Sequence, residues 1–366
     1  MAVNLKGKGF FMWKVASCEG GNPDAIATEA HRAGLSHVLI KIANGIYDYN
    51  YDATTKKDLV TPVANALHEK GIQVWGWHYV FGDLPHDEAR AAIRQINKIP
   101  LDGYVIDAEA EYKGKYSAAS TFMYDLRAAL PNYPIALSSY RYPKYHGDLP
   151  FSDFLKKSDL NMPQVYWEQA HNPGEQLARS LSEFQTIVIP FRPLYPTGAA
   201  YASGGWVPTP SEITEFLNKA VSLGMEGANF WSWDYCRAKL PALWDVIADY
   251  QWPGIINPEK DVCERLIDAI NQRNITTLSS LYTSDCAHIT AKQTIQSPLK
   301  VTEWYSDLWT RIYPNIKFEI LSFSGTNPNR HFEWRAVKSD GTTLTGKDTL
   351  GLIGGKIVYH FCDLVI

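Results

Sequence analysis

The stretch IQVWGWHYVFGDLPHDEARAAIRQINKIPLDGYVIDAEAEY, residues 72–112, decides the fold. Its two ends, 72–81 and 103–112, are apolar runs rich in β-branched and aromatic side chains. Runs this continuous mark strands covered on both faces, as in a parallel sheet. Between them DEARAAIRQI repeats its apolar residues at helical spacing. Strand, helix, strand is one crossover unit, and the rest of the first 250 residues repeats it.

Six more strand-like runs surround this unit: GFFMWKV (9–15), HVLIKIANG (37–45), IALSSYRY (135–142), LNMPQVYWE (160–168), TIVIPFRPLY (186–195) and GANFWSWDY (227–235). Helical patterns such as NPDAIATEAHRAG, TPVANALHEKG and TPSEITEFLNKAVSLG separate them, with Asn22-Pro23 opening the first and Gly34 closing it. Eight such units over about 250 residues predict a (β/α)8 TIM barrel. An open doubly wound sheet is the alternative, but the glycine-rich phosphate fingerprint it often carries is missing.

The pattern changes after Tyr250. QWPGIINPEK (251–260) has the proline and glycine of a connection, so the barrel is assigned to 1–250 and a linker to 251–258. Residues 259–366 read as a small α+β domain. Its helices come first (DVCERLIDAINQRN, ITTLSSLY, LKVTEWYSDLWTRIY). An antiparallel meander of KFEILSFSG, RHFEWRAVKS, GTTLTGKDTLGLIG and KIVYHFCDLVI follows.

Composition narrows the function classes. A net charge of −4 with 20% charged residues gives no basic face for nucleic acid. No apolar run approaches the roughly 20 residues that span a bilayer, so no membrane association is expected. The apolar run in MAVNLKGKGFFMWKVASC is too short for a secretory signal. That leaves the location open between a cytoplasmic, a phage-encoded and an exported protein. Five cysteines at unpaired spacings predict buried free thiols, with neither a disulfide framework nor a zinc site. No cofactor and no metal are implied. The 12 Trp and 21 Tyr are numerous enough to offer stacking surfaces for sugar rings.

In a (β/α)8 barrel the chemistry sits at the C-terminal ends of the strands. There Asp107, Glu109 and Glu111 alternate, and alternate strand residues share a face about 6.5–7 Å apart. Like charges so close raise one another's pKa, which lets one carboxyl keep a proton while its neighbour ionises. Asp107 and Glu109 are therefore the candidate catalytic pair. Glu109, expected to have the higher pKa, would be the general acid, with Asp107 assisting. Candidate substrate-binding residues come from other strand ends: Trp13, His78, Tyr79, Gln164, Tyr166, Trp231, Trp233 and Asp234, together with Glu111. Each has a plain structural alternative: His78 as a satisfied core histidine, Asp234 as a helix cap, Glu111 as a solvated loop acid.

With these residues in view, 1–250 resembles the family 25 glycoside hydrolases, lysozyme-type muramidases. YVIDAEAEY is similar to that family's fourth-strand D-x-E, GWHYVF to its third-strand G-x-Y-H-F and PQVYW to its sixth-strand Q-Y. The resemblance implies Glu109 as acid, Asp107 as its helper, and a peptidoglycan or other N-acetylhexosamine polymer as substrate. The family's first strand carries an Asp in a G-I-D-V-S type motif; GFFMWKV offers Trp13 and Lys14 instead. Residues 257–366 resemble the nuclear transport factor 2-like (SnoaL-like) fold. The carriers are DVCERLIDAINQRNITTLSSLYTSD and the later GGKIVYHF. That resemblance implies a cone-shaped pocket, with His288, His360 and Asp363 as candidate lining, and a homodimer through this domain. The expected function is cleavage of a carbohydrate substrate. The alternatives are a non-catalytic carbohydrate-binding barrel, or a protein whose C-terminal pocket does the work.

Overall fold

The structure is a computed structural model that describes residues 5–52, 54–255, 260–325 and 328–364. Eight parallel strands alternate with helices in the first unit: β1 (Gly7–Met12), β2 (His37–Asn44), β3 (Gln73–Val80), β4 (Gly103–Ala108), β5 (Ile135–Tyr140), β6 (Leu160–Val165), β7 (Thr197–Ala199) and β8 (Gly227–Trp231). Each strand pairs with its sequence neighbour, and β1 pairs with both β2 and β8, so the sheet closes on itself. This is the (β/α)8 TIM barrel. Helices α1 (Pro23–Arg32), α2 (Val60–Glu69), α3 (Pro85–Lys98), α4 (Tyr116–Ala129), α5 (Phe151–Leu155), α6 (Pro173–Ile187) and α7 (Pro210–Ser222) connect successive strands, and α8 (Trp233–Lys239) and α9 (Pro241–Asp249) follow the last.

Strand parity sorts the side chains into two cores. Phe11, Leu39, Trp75, Trp77, Val105, Ala136, Met162 and Tyr195 fill the barrel interior. Their odd-even neighbours, such as Phe10, Ile40, Val74, Ile106 and Phe230, pack outward against the helices. Large interior rings need small opposites. A Cβ at Gly103 would sit 2.5 Å from the Trp75 ring, and one at Gly9 would sit 2.1 Å from the His37 ring. One outward position is charged. Lys8 is buried and donates to the carbonyls of Ala33, Ile247 and Ala248 at 3.0, 2.7 and 2.8 Å, tying β1 to the C-terminal ends of α1 and α9.

The seventh strand is not where the sequence places it. TIVIPFRPLY (186–195) is not a strand: α6 runs on to Ile187, and β7 is the three residues Thr197–Ala199. Pro190, Pro193 and Pro196 remove the donors that a ladder through the apolar run would need.

The chain divides into two compact units, Met1–Asn257 and Pro258–Ile366. The proposed linker 251–258 and the start at 259 run into 256–259, which lie outside the described residues. The second unit has α10 (Val262–Asn271), α11 (Ile275–Ser280) and α12 (Pro298–Asp307). Its six strands are β9 (Tyr282–Ile289), β10 (Thr294–Gln296), β11 (Lys317–Ser324), β12 (Asn329–Val337), β13 (Thr343–Ile353) and β14 (Lys356–Phe361). They lie in the order β10-β9-β14-β13-β12-β11, with β9 and β14 parallel. The expected plain meander is thus one part of a mixed sheet. The sequence reading missed β9 because YTSDCAHI is largely polar and β10 because TIQ is only three residues. α10 packs on β11 and α12 on β9 around a separate core, the nuclear transport factor 2-like arrangement. All five cysteines are buried free thiols, and no helix among the described residues is long and apolar enough to cross a membrane.

Candidate active site

A cavity of about 460 Å³ opens at the C-terminal end of the barrel strands. That lies within the range of small-molecule sites. Its lining is aromatic (Trp13, Trp77, Tyr79, Phe81, Tyr166, Trp231) with five polar side chains: Lys41, Asn44, Asp107, Glu109 and Gln164. Trp77 meets Trp231 edge to face at 5.4 Å, and Trp13 lies 6.1 Å from Trp231, so the rings form one continuous wall. The Trp77 indole is pinned by donating to the Met12 carbonyl at 3.0 Å.

The two acids meet through β6. Gln164 Nε2 donates to Asp107 Oδ1 at 3.1 Å and to Glu109 Oε1 at 2.9 Å, which puts both oxygens within hydrogen-bond reach of one nitrogen. Asp107 ends β4 facing inward and is buried. Glu109 lies beyond the strand end, in the more open part of the cavity. Burial pushes both carboxyls above the usual carboxylate range, Asp107 the further because it is fully enclosed and also faces Glu109. Lys41, Ser138 and Gln164 pull Asp107 back down; Gln164 and Lys41 do the same for Glu109.

Trp13, Tyr79, Gln164, Tyr166 and Trp231 join Asp107 and Glu109 in the lining. Four other candidates lie elsewhere. His78 alternates with Trp77 and Tyr79, so it faces the helices; it is buried, with Nε2 donating to the Gly45 carbonyl at 2.7 Å and Nδ1 accepting from the Tyr104 hydroxyl at 2.8 Å. Trp233 comes after the chain has left β8 for α8, and its ring packs edge-on against the stacked pair of Phe10 and Trp244. Asp234 Oδ1 accepts from the Trp13 backbone N–H at 3.2 Å, supporting the wall from behind. Glu111, in the 3₁₀ turn after β4, accepts from the Tyr79 hydroxyl at 2.6 Å and fixes that ring at the rim.

The sequence reading missed Lys41 and Asn44. A lone lysine inside HVLIKIANG, on the inward parity of Leu39 and near the strand's C-terminal end, was the available signal. Asn44 was hidden by a bulge: register slips between Lys41 and Ala43 against β3, so residues 41 and 44 share the cavity face.

Among the described residues the second unit has hollows of about 260 Å³ beside Thr290 and Trp304 and about 310 Å³ beside His331 and Asp348, while its centre is closed. The void beside Tyr305, Trp334, Asp348 and Cys362 measures about 10 Å³, room for one water. His288 and His360 are fully buried within the polar core, not the lining of an open pocket, and Asp363 accepts from the Lys347 N–H. Among the described residues, Asp348, His360 and Cys362 are the one group with metal-type ligand atoms mutually within 4.8 Å. Asp348 already accepts from His360 Nε2 at 2.7 Å, Trp334 Nε1 at 2.8 Å and the Asp363 N–H at 2.9 Å, so the cluster is satisfied by its own hydrogen bonds.

No protein-family model matches the chain, and no curated protein matches it significantly. Among solved structures the chain is similar to a glycoside hydrolase family 18 N-acetylglucosaminidase from Paenibacillus barengoltzii, at 11% identity and a TM-score of 0.47, over 66% of this chain and 99% of that one. A SnoaL-like family protein from Agrobacterium tumefaciens matches 27% of this chain and 91% of its own, at 15% identity and a TM-score of 0.26. A de novo designed protein with a curved β-sheet matches a similar share, 27% of this chain and 79% of its own, at 16% identity and a TM-score of 0.25. These likenesses concern shape, and the functional argument rests on the site.

Proposed function

We propose that the barrel is a glycoside hydrolase, with Glu109 as the proton donor to the glycosidic oxygen and Asp107 as its partner. One observation carries this reading: two carboxyls, bridged by one amide, in an aromatic-walled cleft wide enough for a sugar ring. Glycosidic cleavage needs an acid that is still protonated near neutral pH and a carboxylate beside it to stabilise positive charge. Both carboxyls are biased toward the neutral form, and the pair titrates as a unit. A bound sugar would cover Glu109 and strip its remaining water, which favours the proton on the outer carboxyl where the leaving oxygen would lie. Trp13, Tyr166 and Trp231 supply the stacking faces, backed by the buried Trp77, and Tyr79, held by Glu111, the rim.

The proposed substrate class is an N-acetylhexosamine glycan such as peptidoglycan or chitin, from the resemblance of YVIDAEAEY and PQVYW to the muramidase motifs. The test is release of reducing ends from chito-oligosaccharides and from peptidoglycan. Turnover by the native protein, cut by roughly 10²–10⁴-fold in Glu109→Gln, supports the reading. Undiminished turnover in Glu109→Gln overturns it. The rival is a non-catalytic carbohydrate-binding barrel, favoured by Trp13 standing where the muramidase motif has its Asp. Oligosaccharide binding without reducing-end release, in the native protein, selects it.

A further inference from the structure

Lys41 is 5% exposed, yet it lines the cavity. Its ammonium donates to Asn44 Oδ1 at 2.9 Å, which occupies one of its three N–H donors. Aromatic rings surround the rest: Tyr49 at 4.5 Å, Trp77 at 4.6 Å, Tyr79 at 5.7 Å and Trp13 at 5.8 Å from ring centroid to Nζ. These distances are those of cation–π contacts, which favour the charged form without neutralising it. The backbone is fixed as well, since the Lys41 carbonyl accepts from Asn50 Nδ2 at 2.8 Å. A flexible four-carbon chain is thereby held in one place.

Holding a buried cation so firmly has a cost, and no carboxylate salt bridge relieves it. Desolvation lowers the Lys41 pKa to about 8, while Asp107 and Glu109 on β4 and just beyond it act in the opposite sense. The titratable groups facing it are thus Tyr49 after β2, Tyr79 on β3, and the Asp107–Glu109 pair. Lys14, at the end of β1, shares the Trp13 ring at 5.2 Å. Lys41 is the only basic side chain of the cavity lining among the described residues.

We propose that Lys41 is the positioning cation of this site: anchored by Asn44 and boxed by four rings, its ammonium holds the Asp107–Glu109 pair of the same cavity to a single shared proton. The inference rests on the hydrolase reading for its consequence in turnover, but not for the electrostatic coupling itself. A cation beside two carboxyls favours one negative charge in the pair, leaving a neutral triad with a single mobile proton. Without it, the pair holds its protons to higher pH and the carboxylate needed beside the acid is lost. The role differs from substrate contact, because Lys41 acts through the acids.

Two measurements test this. Carboxyl ¹³C NMR titration of the free protein needs no substrate. The expected result is that Asp107 and Glu109 titrate roughly 1 pH unit or more higher in Lys41→Met than in the native protein, with Lys41→Arg close to native. Identical titrations in the native protein and Lys41→Met overturn the proposal, whether or not any glycan is cleaved. Where turnover is found, native kcat should fall above about pH 8. Lys41→Met should lose roughly 10²-fold in kcat with KM nearly unchanged. Lys41→Arg, whose charge persists, should recover part of the rate and move the basic limb upward. A limb that stays at pH 8 in Lys41→Arg overturns it. If Lys41→Met does not fold, the Lys41→Arg comparison and the titration of Asn44→Leu, expected to fall between native and uncharged behaviour, decide the matter.

Discussion

At the scale of single residues, the site is an arrangement of depth. Asp107 and Glu109 differ by two positions, yet one lies within β4 and the other just past it, and Gln164 spans the two. Asp107→Asn should therefore lower kcat by at least 10²-fold while leaving oligosaccharide affinity within a few-fold, measured by steady-state kinetics and calorimetry. Gln164→Leu removes the bridging amide, and both carboxyls should then titrate higher, since Gln164 lowers each. Much of this was legible: the D-x-E parity, the strand-end position and the Gln164–Tyr166 pair all follow from a period of two. The same rule excludes His78, whose neighbours Trp77 and Tyr79 claim the inward face. Lys41 was legible only as an oddity in an apolar strand, and Asn44 was not, because a bulge breaks the parity on which the reading depends.

Elements are specified by what must fit beside them. Gly103 begins β4 under the Trp75 ring, and that ring is buried, with nowhere to move. Gly103→Ala should cost about 1–3 kcal/mol by overpacking, read as a lowered denaturation midpoint at unchanged slope. Lys8→Met should cost roughly 2–4 kcal/mol, because three carbonyls at the ends of α1 and α9 lose their donor in a buried setting. Seven of the eight barrel strands begin within two residues of their apolar runs, since a buried parallel strand is written plainly in the sequence. β7 is not so written: its three residues, Thr-Gly-Ala, carry no β signal, and the apolar run before them is broken by prolines. β10 is equally short, and β9, though eight residues long, is too polar to show an apolar run.

Over the whole molecule, buried histidines set the response to acid. Burial lowers His37 to about 4, His78 to about 3 and His288 to about 2, against an unfolded value near 6.5. The unfolded chain binds those protons first, so their contribution to stability is complete above pH 6.5 and drains as pH falls from there toward 4. The raised carboxyls of Glu19, Glu88, Asp107 and Glu109 act the other way, since the folded chain takes up those protons first. His78→Phe, less stable than the native protein at pH 7, should close that gap as the pH falls from 7 to 5, read from paired urea midpoints. The central claim remains the pairing of Asp107 and Glu109 in a cleft that holds a sugar. It is tested most directly by a crystal structure of Glu109→Gln with a chito-oligosaccharide bound. The account predicts a glycosidic oxygen about 2.6–3.2 Å from the residue-109 side chain, with sugar rings against Trp13 or Trp231. An oligosaccharide seated away from the barrel mouth, with residue 109 contacting no glycosidic oxygen, would contradict it.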